Sequence, residues 1–169
     1  MKRLIYLISP NKIYKNFYSD LVKVLVSKKV KFFQLRLKNE PDQKITKIGK
    51  KIKIITKKYN VKLIINDSPK IAKKIDADGC HIGQLDGSIA EGRKFLKNRI
   101  IGVTCHNSKR LAQVAIKNKI DYIAFGSFYN SKLKPNAKKA DLNVLRWAKK
   151  EIKKPIVVIG GITDKNYKK

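Results

Sequence analysis

The sequence predicts an α/β fold with a parallel sheet, of the TIM (β/α)8 barrel type. Seven short apolar runs alternate with segments whose apolar residues recur at helical spacing, which is the pattern of repeated strand–helix units. Alternation alone is also compatible with an open doubly wound sheet, which concentrates its site at one switch point. Here polar side chains follow almost every apolar run, as in a barrel that gathers its site from the carboxyl ends of most strands. The distribution of these polar residues therefore favours the barrel.

The first half of the chain is predicted to form four strands and three helices. The helix at 42–59 is the clearest, because Ile45, Ile48 and Ile52 recur at three-and-four spacing and lysines fill much of the remainder. Ser68 and Pro69 are typical of an N-cap followed by the first helical position. The predicted elements are strand 4–9, helix 17–27, strand 32–37, helix 42–59, strand 63–65, helix 69–75 and strand 79–82.

The second half continues the same alternation. Ser88 and Glu91 have the spacing of a capping box at the start of a helix, and Asp141 is placed to cap another. The predicted elements are a helix from 88, strand 100–104, helix 108–118, strand 121–125, a loop at 126–137, helix 141–152 and strand 155–159. No linker or low-complexity tract interrupts the chain, so we expect residues 1–169 to form a single domain.

The C-terminal end of the chain carries a further expectation. A barrel of this type needs eight strands to remove its edges, and only seven are predicted. Residues 160–164 have the composition of a phosphate loop followed by a helix cap, and the chain stops at Lys169. We therefore expect a C-terminally incomplete barrel that lacks strand eight and its helix, with the first and seventh strands not paired to each other.

Composition limits the class of protein. Apolar residues make up 43% of the chain, and no apolar run approaches the ~20 residues that cross a bilayer, so no membrane contact is expected. Cys80 and Cys105 fit neither a zinc spacing nor a disulfide framework, which indicates buried thiols in the cytoplasm. The net charge of +29 would suit nucleic acid, but the lysines are spread over nearly every helix and aromatic interleaving is absent. We therefore expect small-molecule partners and not nucleic acid.

The polar residues at the strand ends predict an anion and metal site. Asp67 and Asp86 follow neighbouring parallel strands, and two carboxylates in one cleft need a cation between them, for which Mg²⁺ is suited. Anion donors are supplied by Arg36, Lys38 and Lys134, and Gly160 and Gly161 follow the seventh strand, where barrels commonly hold a phosphate. Simpler interpretations stay open, since Asp67 could only cap a helix, Arg36 could lie on an exposed strand face and His106 could merely open a helix.

These residues also resemble a known family, the thiamine phosphate synthases. Residues 34–38 (Gln-Leu-Arg-Leu-Lys) are similar to the family's Gln-x-Arg-x-Lys signature on the second strand. Residues 66–67 (Asn-Asp) and 77–86 (Ala-Asp-Gly-Cys-His-Ile-Gly-Gln-Leu-Asp) resemble two more signatures, of which the second is quite specific. Residues 101–106 and 159–163 match two further segments, so the resemblance runs from the first strand to the chain end.

The resemblance implies a TIM barrel that joins hydroxymethylpyrimidine diphosphate to thiazole phosphate, giving thiamine phosphate and diphosphate. It implies that the pyrimidine diphosphate is held by Gln34, Arg36, Lys38, Asn66, Thr104 and Lys134. Mg²⁺ would be ligated by Asp67 and Asp86, and the thiazole phosphate would contact Ser131 and Gly161. Arg36, Lys38 and Lys134 would then stabilise the departing diphosphate, which is electrostatic catalysis without a protein nucleophile.

The chain departs from the family pattern in places, and three other functions compete. Leu133 replaces a hydroxyl residue near the thiazole substrate, and Thr104 stands where serine is usual. A thiazole tautomerase-like isomerase would use His106 as acid and base, but would not need both carboxylates and three cations. A basic nucleic-acid-binding protein would leave the strand-end residues unexplained. A barrel that has lost catalysis is the last alternative, and the oligomeric state stays open.

Overall fold

The computed structural model describes residues 4–130, 137 and 139–167, and in them strands and helices alternate without exception. The strands are β1 (Ile5–Ile8), β2 (Val30–Leu35), β3 (Lys62–Asn66), β4 (Gly79–Ile82), β5 (Ile100–His106), β6 (Tyr122–Phe125) and β7 (Ile156–Val158). The helices are α1 (Phe17–Val26), α2 (Asp42–Lys58), α3 (Pro69–Lys74), α4 (Ile89–Leu96), α5 (Lys109–Lys117) and α6 (Leu142–Glu151). The thirteen predicted elements are therefore all present, with ends that shift by one or two residues.

The seven strands lie in one sheet in the order in which they occur along the chain. The pairings β1–β2, β2–β3, β3–β4, β5–β6 and β6–β7 are all parallel. A doubly wound sheet reverses its strand order at a switch point, whereas a (β/α) barrel always winds in one direction. The observed order is thus of the barrel type, and β1 and β7 are its two ends among the described residues.

Contacts along the chain group it into two compact units. The first contains the described residues up to Ile82 together with Asp86–Ile101, and so includes β1–β4 and α1–α4. Its core is centred on β3, where Leu63, Ile64 and Ile65 are all fully buried. Since residues on both faces of this strand are covered, its apolar run is continuous instead of alternating.

The second unit contains Gly83–Leu85 and the described residues from Gly102 onward. It includes β6, β7, α5 and α6, and Ile123 and Phe125 are fully buried in its core. No helix in the described part of the chain is both long and apolar enough to cross a membrane.

Small residues, and not the largest apolar ones, form the innermost line of several helices. On α2 the buried positions are Thr46, Gly49, Ile52 and Thr56, while the predicted Ile45, Ile48 and Ile55 are only half-buried on the flanks. A Cβ atom on Gly49 would lie 2.6 Å from Ile75 Cδ1, so the glycine lets the helix approach its neighbours closely.

Three predicted inner positions, on α1, α5 and α6, are wrong because their side chains are exposed. Val26 and Val114 are exposed, and so is Leu142, which was expected on the buried face of α6. Val22 on α1 is half-buried, as is Leu145 on α6. The alanines of α5 and α6 are buried, at Ala112, Ala115 and Ala148.

Asp78 and Gly79, which belong to the Ala-Asp-Gly segment, act at the amino-terminal end of the strands. The Asp78 carboxylate accepts hydrogen bonds from Lys53 Nζ at 2.7 Å and from the Leu63 N–H at 2.9 Å. It also pairs with Lys62 at 3.3 Å. A Cβ atom on Gly79 would collide with the backbone carbonyl of Ile100. Because this end of the strands lies away from their carboxyl ends, the segment has a structural role.

The Asp78 carboxylate should stabilise the fold in a pH-dependent way. Burial alone would raise its pKa, but the hydrogen bonds from Lys53 and from the Leu63 N–H bring the pKa below its ordinary value. A carboxyl whose pKa is lower in the folded chain contributes stability above its ordinary pKa and loses it as the pH falls through the folded-state pKa. Asp78→Asn should lower the free energy of unfolding at neutral pH by about 1–3 kcal/mol, and urea denaturation should show this difference shrinking in acid.

Asp76→Asn is the matched control for that experiment. Asp76 pairs with Arg99 at 2.6 Å, but its side chain is 82% exposed. An exposed ion pair contributes at most about 1 kcal/mol. Equal losses of stability in the two variants, at all pH values, would contradict the role assigned to Asp78.

Candidate active site

The predicted site residues fall into three groups. The first unit contains Gln34, Arg36, Lys38, Asn66, Asp67 and Asp86. The second unit contains Thr104, Gly160 and Gly161. Ser131 and Lys134, as well as Leu133, lie outside the described residues, so their predicted roles are not tested by the structure.

Asp67 and Asp86 converge on a single cation, the ammonium group of Lys38. Lys38 Nζ lies 3.0 Å from Asp67 Oδ2 and 3.6 Å from Asp86 Oδ1. All three side chains are partly exposed, at 40% for Lys38 and 23% and 27% for the two carboxylates. The expectation that both carboxylates lie at one rim, close enough to share a cation, agrees with this geometry.

Asp67 has a left-handed backbone conformation and is not the N-cap of the helix that follows. Asp67 has a left-handed φ of 62°, and its N–H donates to the His81 carbonyl at 2.8 Å. Ser68 Oγ, not the Asp67 carboxylate, accepts from the Ile71 N–H at 3.2 Å and caps α3. The interpretation of Asp67 as a mere helix cap is therefore wrong.

The environment of Asp67 disfavours its charge. Burial raises the pKa of the Asp67 carboxyl most strongly, the hydrogen bond from Lys38 opposes this, and the nearby charge of Asp86 raises the pKa further. The net direction is upward. Asn66 Nδ2 also donates a short hydrogen bond to Asp67 Oδ2. A carboxylate whose ionised form is destabilised by burial and by a second carboxylate is a favourable ligand for a cation.

The donor set fits Mg²⁺ better than a metal that needs a closed protein cage. Among the described residues there is no group of three or more histidine, cysteine, aspartate or glutamate side chains that could hold a metal. Mg²⁺ is usually bound by one or two carboxylates, with water and substrate phosphates completing the shell. Asp67 and Asp86 match that pattern.

Arg36 lies just after β2 and is held by the segment that follows β1. Its Nη1 donates to Asn11 Oδ1 at 2.6 Å, and its backbone N–H donates to Ser9 Oγ at 2.9 Å. Arg36 is half-buried, so it does not lie on an exposed strand face. Gln34 is buried and its Nε2 donates to the Tyr6 hydroxyl at 3.0 Å.

Ser9, Asn11 and Tyr6 contact the predicted site residues Arg36 and Gln34 and were not singled out from the sequence. Ser9 and Asn11 directly follow the apolar run of β1, and so satisfy the same rule that selected Asp67 and Asp86. The signal was present, but these residues match none of the quoted family motifs.

In the second unit, the two glycines are required by backbone geometry. Gly160 and Gly161 have φ values of 91° and 67°, which lie in the left-handed region. Side chains there would also collide with Ser127 and with the backbone of residues 129–130. The Gly161 carbonyl accepts from Asn166 Nδ2 at 2.9 Å. This fixes the conformation of the loop, while phosphate binding by the glycines stays a prediction.

Thr104 contacts Gln84 through its backbone carbonyl, and the two cysteines are buried. The Thr104 carbonyl accepts a short hydrogen bond from Gln84 Nε2, and the Thr104 side chain is half-buried. Both thiols are fully buried, as predicted. Burial raises the pKa of Cys105 to about 12 and raises that of Cys80 even further above the ordinary range, with the charges of Asp67 and Asp86 adding to the latter effect. Neither thiol is a candidate nucleophile at neutral pH.

Comparison with known proteins gives consistent matches at the level of family, sequence and fold. The model of the family described as thiamine monophosphate synthase matches residues 5–169. The thiamine-phosphate synthase of Pelagibacter ubique is 57% identical over 169 residues, which is 99% of this chain and 82% of the relative. That of Saccharophagus degradans is 44% identical over 138 residues, which is 81% of this chain and 64% of the relative.

A solved structure, the thiamine phosphate pyrophosphorylase from Pyrococcus furiosus, has a TM-score of 0.84 and 28% identity to this chain. The match covers 96% of this chain and 77% of that one. It agrees with the order of the strands and establishes the α/β fold class of the TIM type, as the sequence predicted. The chain therefore belongs to the thiamine monophosphate synthase family and is a transferase.

Proposed function

We propose that this chain condenses hydroxymethylpyrimidine diphosphate with thiazole phosphate, giving thiamine phosphate and diphosphate, with Mg²⁺ bound at Asp67 and Asp86. The observation that carries the proposal is the convergence of both carboxylates on one cation, Lys38, at 3.0 and 3.6 Å. Two carboxylates that converge on one cation suit Mg²⁺, and Lys38 and Arg36 are proposed to bind the diphosphate.

The reaction breaks the bond between the pyrimidine methylene carbon and the diphosphate oxygen, and the bonding electrons leave with the diphosphate. The lone pair of the thiazole ring nitrogen forms the new carbon–nitrogen bond. Charge therefore separates in the transition state, with negative charge growing on the leaving diphosphate. Mg²⁺, when bound, supplies positive charge to that anion.

The cationic side chains of the chain act on the same anion. Arg36 supplies a planar fork of N–H donors that suits phosphate oxygens, and Lys38 supplies a compact positive charge. Lys134 is proposed as a third donor. Gln34 and Asn66 are proposed to orient the pyrimidine diphosphate, since Gln34 is fixed by Tyr6 and Asn66 by Asp67. These preorganised groups need little rearrangement at the moment of reaction.

The thiazole phosphate is assigned to the second unit. The left-handed turn at Gly160 and Gly161 supports backbone contacts to its phosphate, and Ser131 is proposed as a side-chain contact. Thr104 is proposed to contact the pyrimidine substrate. The two buried, unbridged thiols support a reducing, cytoplasmic location.

The direct test is formation of thiamine phosphate by the purified chain with both substrates and a titration of Mg²⁺. We expect product and diphosphate in equal amounts, no reaction without Mg²⁺, and no reaction when either substrate is omitted. Isomerisation of a thiazole phosphate without the pyrimidine substrate would instead indicate the tautomerase-like activity. Absence of thiamine phosphate at saturating Mg²⁺ from a folded chain would refute the proposal.

A further inference from the structure

Arg36 differs from Arg99 in how its charge is balanced. Its guanidinium has Asn11 as its only hydrogen-bond partner among the described residues, and no carboxylate in that part of the chain forms an ion pair with it. By contrast, Arg99 pairs with Asp76 at 2.6 Å. A half-buried guanidinium held by a neutral amide keeps its full positive charge for an incoming anion.

The Asn11 side chain lies in a segment that is tied to the Arg36 loop at several points. The Ser9 N–H donates to the Gln34 carbonyl at 2.9 Å, which continues the pairing of β1 with β2. The buried Ser9 hydroxyl accepts from the Arg36 N–H at 2.9 Å and donates to the Pro10 carbonyl at 3.1 Å. These bonds hold the backbone of Ser9 and Pro10 against the backbone of Arg36. They therefore fix the position from which Asn11 Oδ1 accepts the hydrogen bond of Arg36 Nη1.

We propose that Asn11 is a positioning residue that orients the Arg36 guanidinium for the diphosphate group without neutralising it. The inference rests on the proposed function. An amide accepts one N–H and leaves the other four donors of the guanidinium for phosphate oxygens. An aspartate at the same place would hold Arg36 as well or better, but it would cancel the charge that binds the anion.

The two chemical properties of Asn11 can be separated by two variants. Asn11→Ala removes the acceptor and lets the guanidinium move, and Asn11→Asp keeps the acceptor and adds a negative charge. The probe is inorganic diphosphate with saturating Mg²⁺, measured by calorimetry on the full chain. We expect affinity for diphosphate to fall about tenfold in Asn11→Ala and about as much or more in Asn11→Asp. Thermal unfolding should show Asn11→Asp to be at least as stable as wild type.

Opposite effects on stability and affinity in Asn11→Asp are the signature of positioning without neutralisation. If Asn11 were only a structural acceptor, Asn11→Asp would bind diphosphate with wild-type affinity, and that result would overturn the inference. Asn98→Asp is the control for the change in net charge, because Asn98 is exposed and precedes β5 at the other end of the strands. An equal loss of affinity in Asn98→Asp would also overturn the inference.

The experiment separates this inference from the proposed function. Diphosphate binding needs no turnover, so weakened binding in both Asn11 variants supports the inference even when thiamine phosphate is not formed. Wild-type affinity in both variants of an active enzyme overturns the inference and leaves the function intact. A wild-type chain that does not bind diphosphate with Mg²⁺ overturns the inference as well.

Discussion

Asp67→Asn and Asp86→Asn should each abolish most of the Mg²⁺-dependent turnover, by roughly 100-fold or more in kcat/KM, because the metal supplies several kcal/mol of charge stabilisation. The amide keeps the size of the side chain but loses the charge that holds the cation. Binding of Mn²⁺ in the presence of inorganic diphosphate, followed by electron paramagnetic resonance, should be lost in parallel. This readout does not depend on catalysis.

The same variants should fold normally, which separates loss of the metal site from loss of structure. Burial and Asp86 raise the pKa of Asp67, so at neutral pH its charge costs folding free energy. Asp67→Asn should therefore be as stable as wild type, or more stable, in metal-free urea denaturation.

The backbone supports this expectation, because the Asp67 N–H still donates to the His81 carbonyl. Asp20→Asn is the matched control, since Asp20 also pairs with a lysine, Lys23, at 3.4 Å on the exposed face of α1. Full Mn²⁺ binding in Asp67→Asn would contradict the assignment.

The proximity of Asp67 and Asp86 could be predicted from the sequence because its signal is local. Asp67 and Asp86 each follow a short buried strand. Neighbouring parallel strands bring their carboxyl ends together independently of how the remainder of the chain folds. Helix starts were equally predictable. Ser68, Ser88 and Asp141 each accept a hydrogen bond from a backbone N–H in the first turn, as their side chains and spacing predicted.

The interaction of Asn11 with Arg36 could not be predicted in the same way. The two residues are 25 positions apart, and neither periodicity nor a motif links them. Their contact depends on the register of β1 against β2, which shifts between Ile5 and Tyr6. Since register is a tertiary property, the sequence alone indicates only that Ser9 and Asn11 follow a strand.

The prediction of which helix residues lie innermost failed for another physical reason. The bulkiest apolar side chains were expected innermost, but a helix packed on a sheet approaches more closely where small residues lie at the contact. Ala112 and Ala148 are fully buried, whereas Val114 is 52% exposed. An apolar stripe therefore gives the side of a helix that faces the core, but not the residue at its centre.

Arg36→Ala should cost about 2–4 kcal/mol of transition-state stabilisation, which is roughly 30- to 1,000-fold in kcat/KM. The loss should appear as a lower kcat and a higher KM for the pyrimidine diphosphate, with the KM for thiazole phosphate little changed. Arg36→Lys should fall between wild type and alanine, because it keeps the charge but loses the planar fork of donors. The fold should survive, since the Arg36 backbone N–H still donates to Ser9 Oγ.

A matched control exists for the contact itself. Arg146 Nη1 donates to Asn143 Oδ1 at 3.0 Å, so this pair repeats the arginine–asparagine contact on the exposed face of α6. Arg146→Ala should leave both kinetic constants unchanged. A general effect of lost positive charge on a chain of net charge +29 would instead lower the activity of both variants.

The division of the loss between kcat and KM shows whether Arg36 acts in substrate binding or in the transition state. An interaction made equally with the bound substrate and the transition state raises KM and leaves kcat unchanged, whereas one that strengthens as the diphosphate departs lowers kcat. Negative charge accumulates on the leaving oxygen only as the carbon–oxygen bond breaks. We therefore expect Arg36→Ala to lose more in kcat/KM for the pyrimidine diphosphate than it gains in KM for that substrate. Wild-type kcat in Arg36→Ala would show that the guanidinium only binds the substrate and does not assist the departure of the diphosphate.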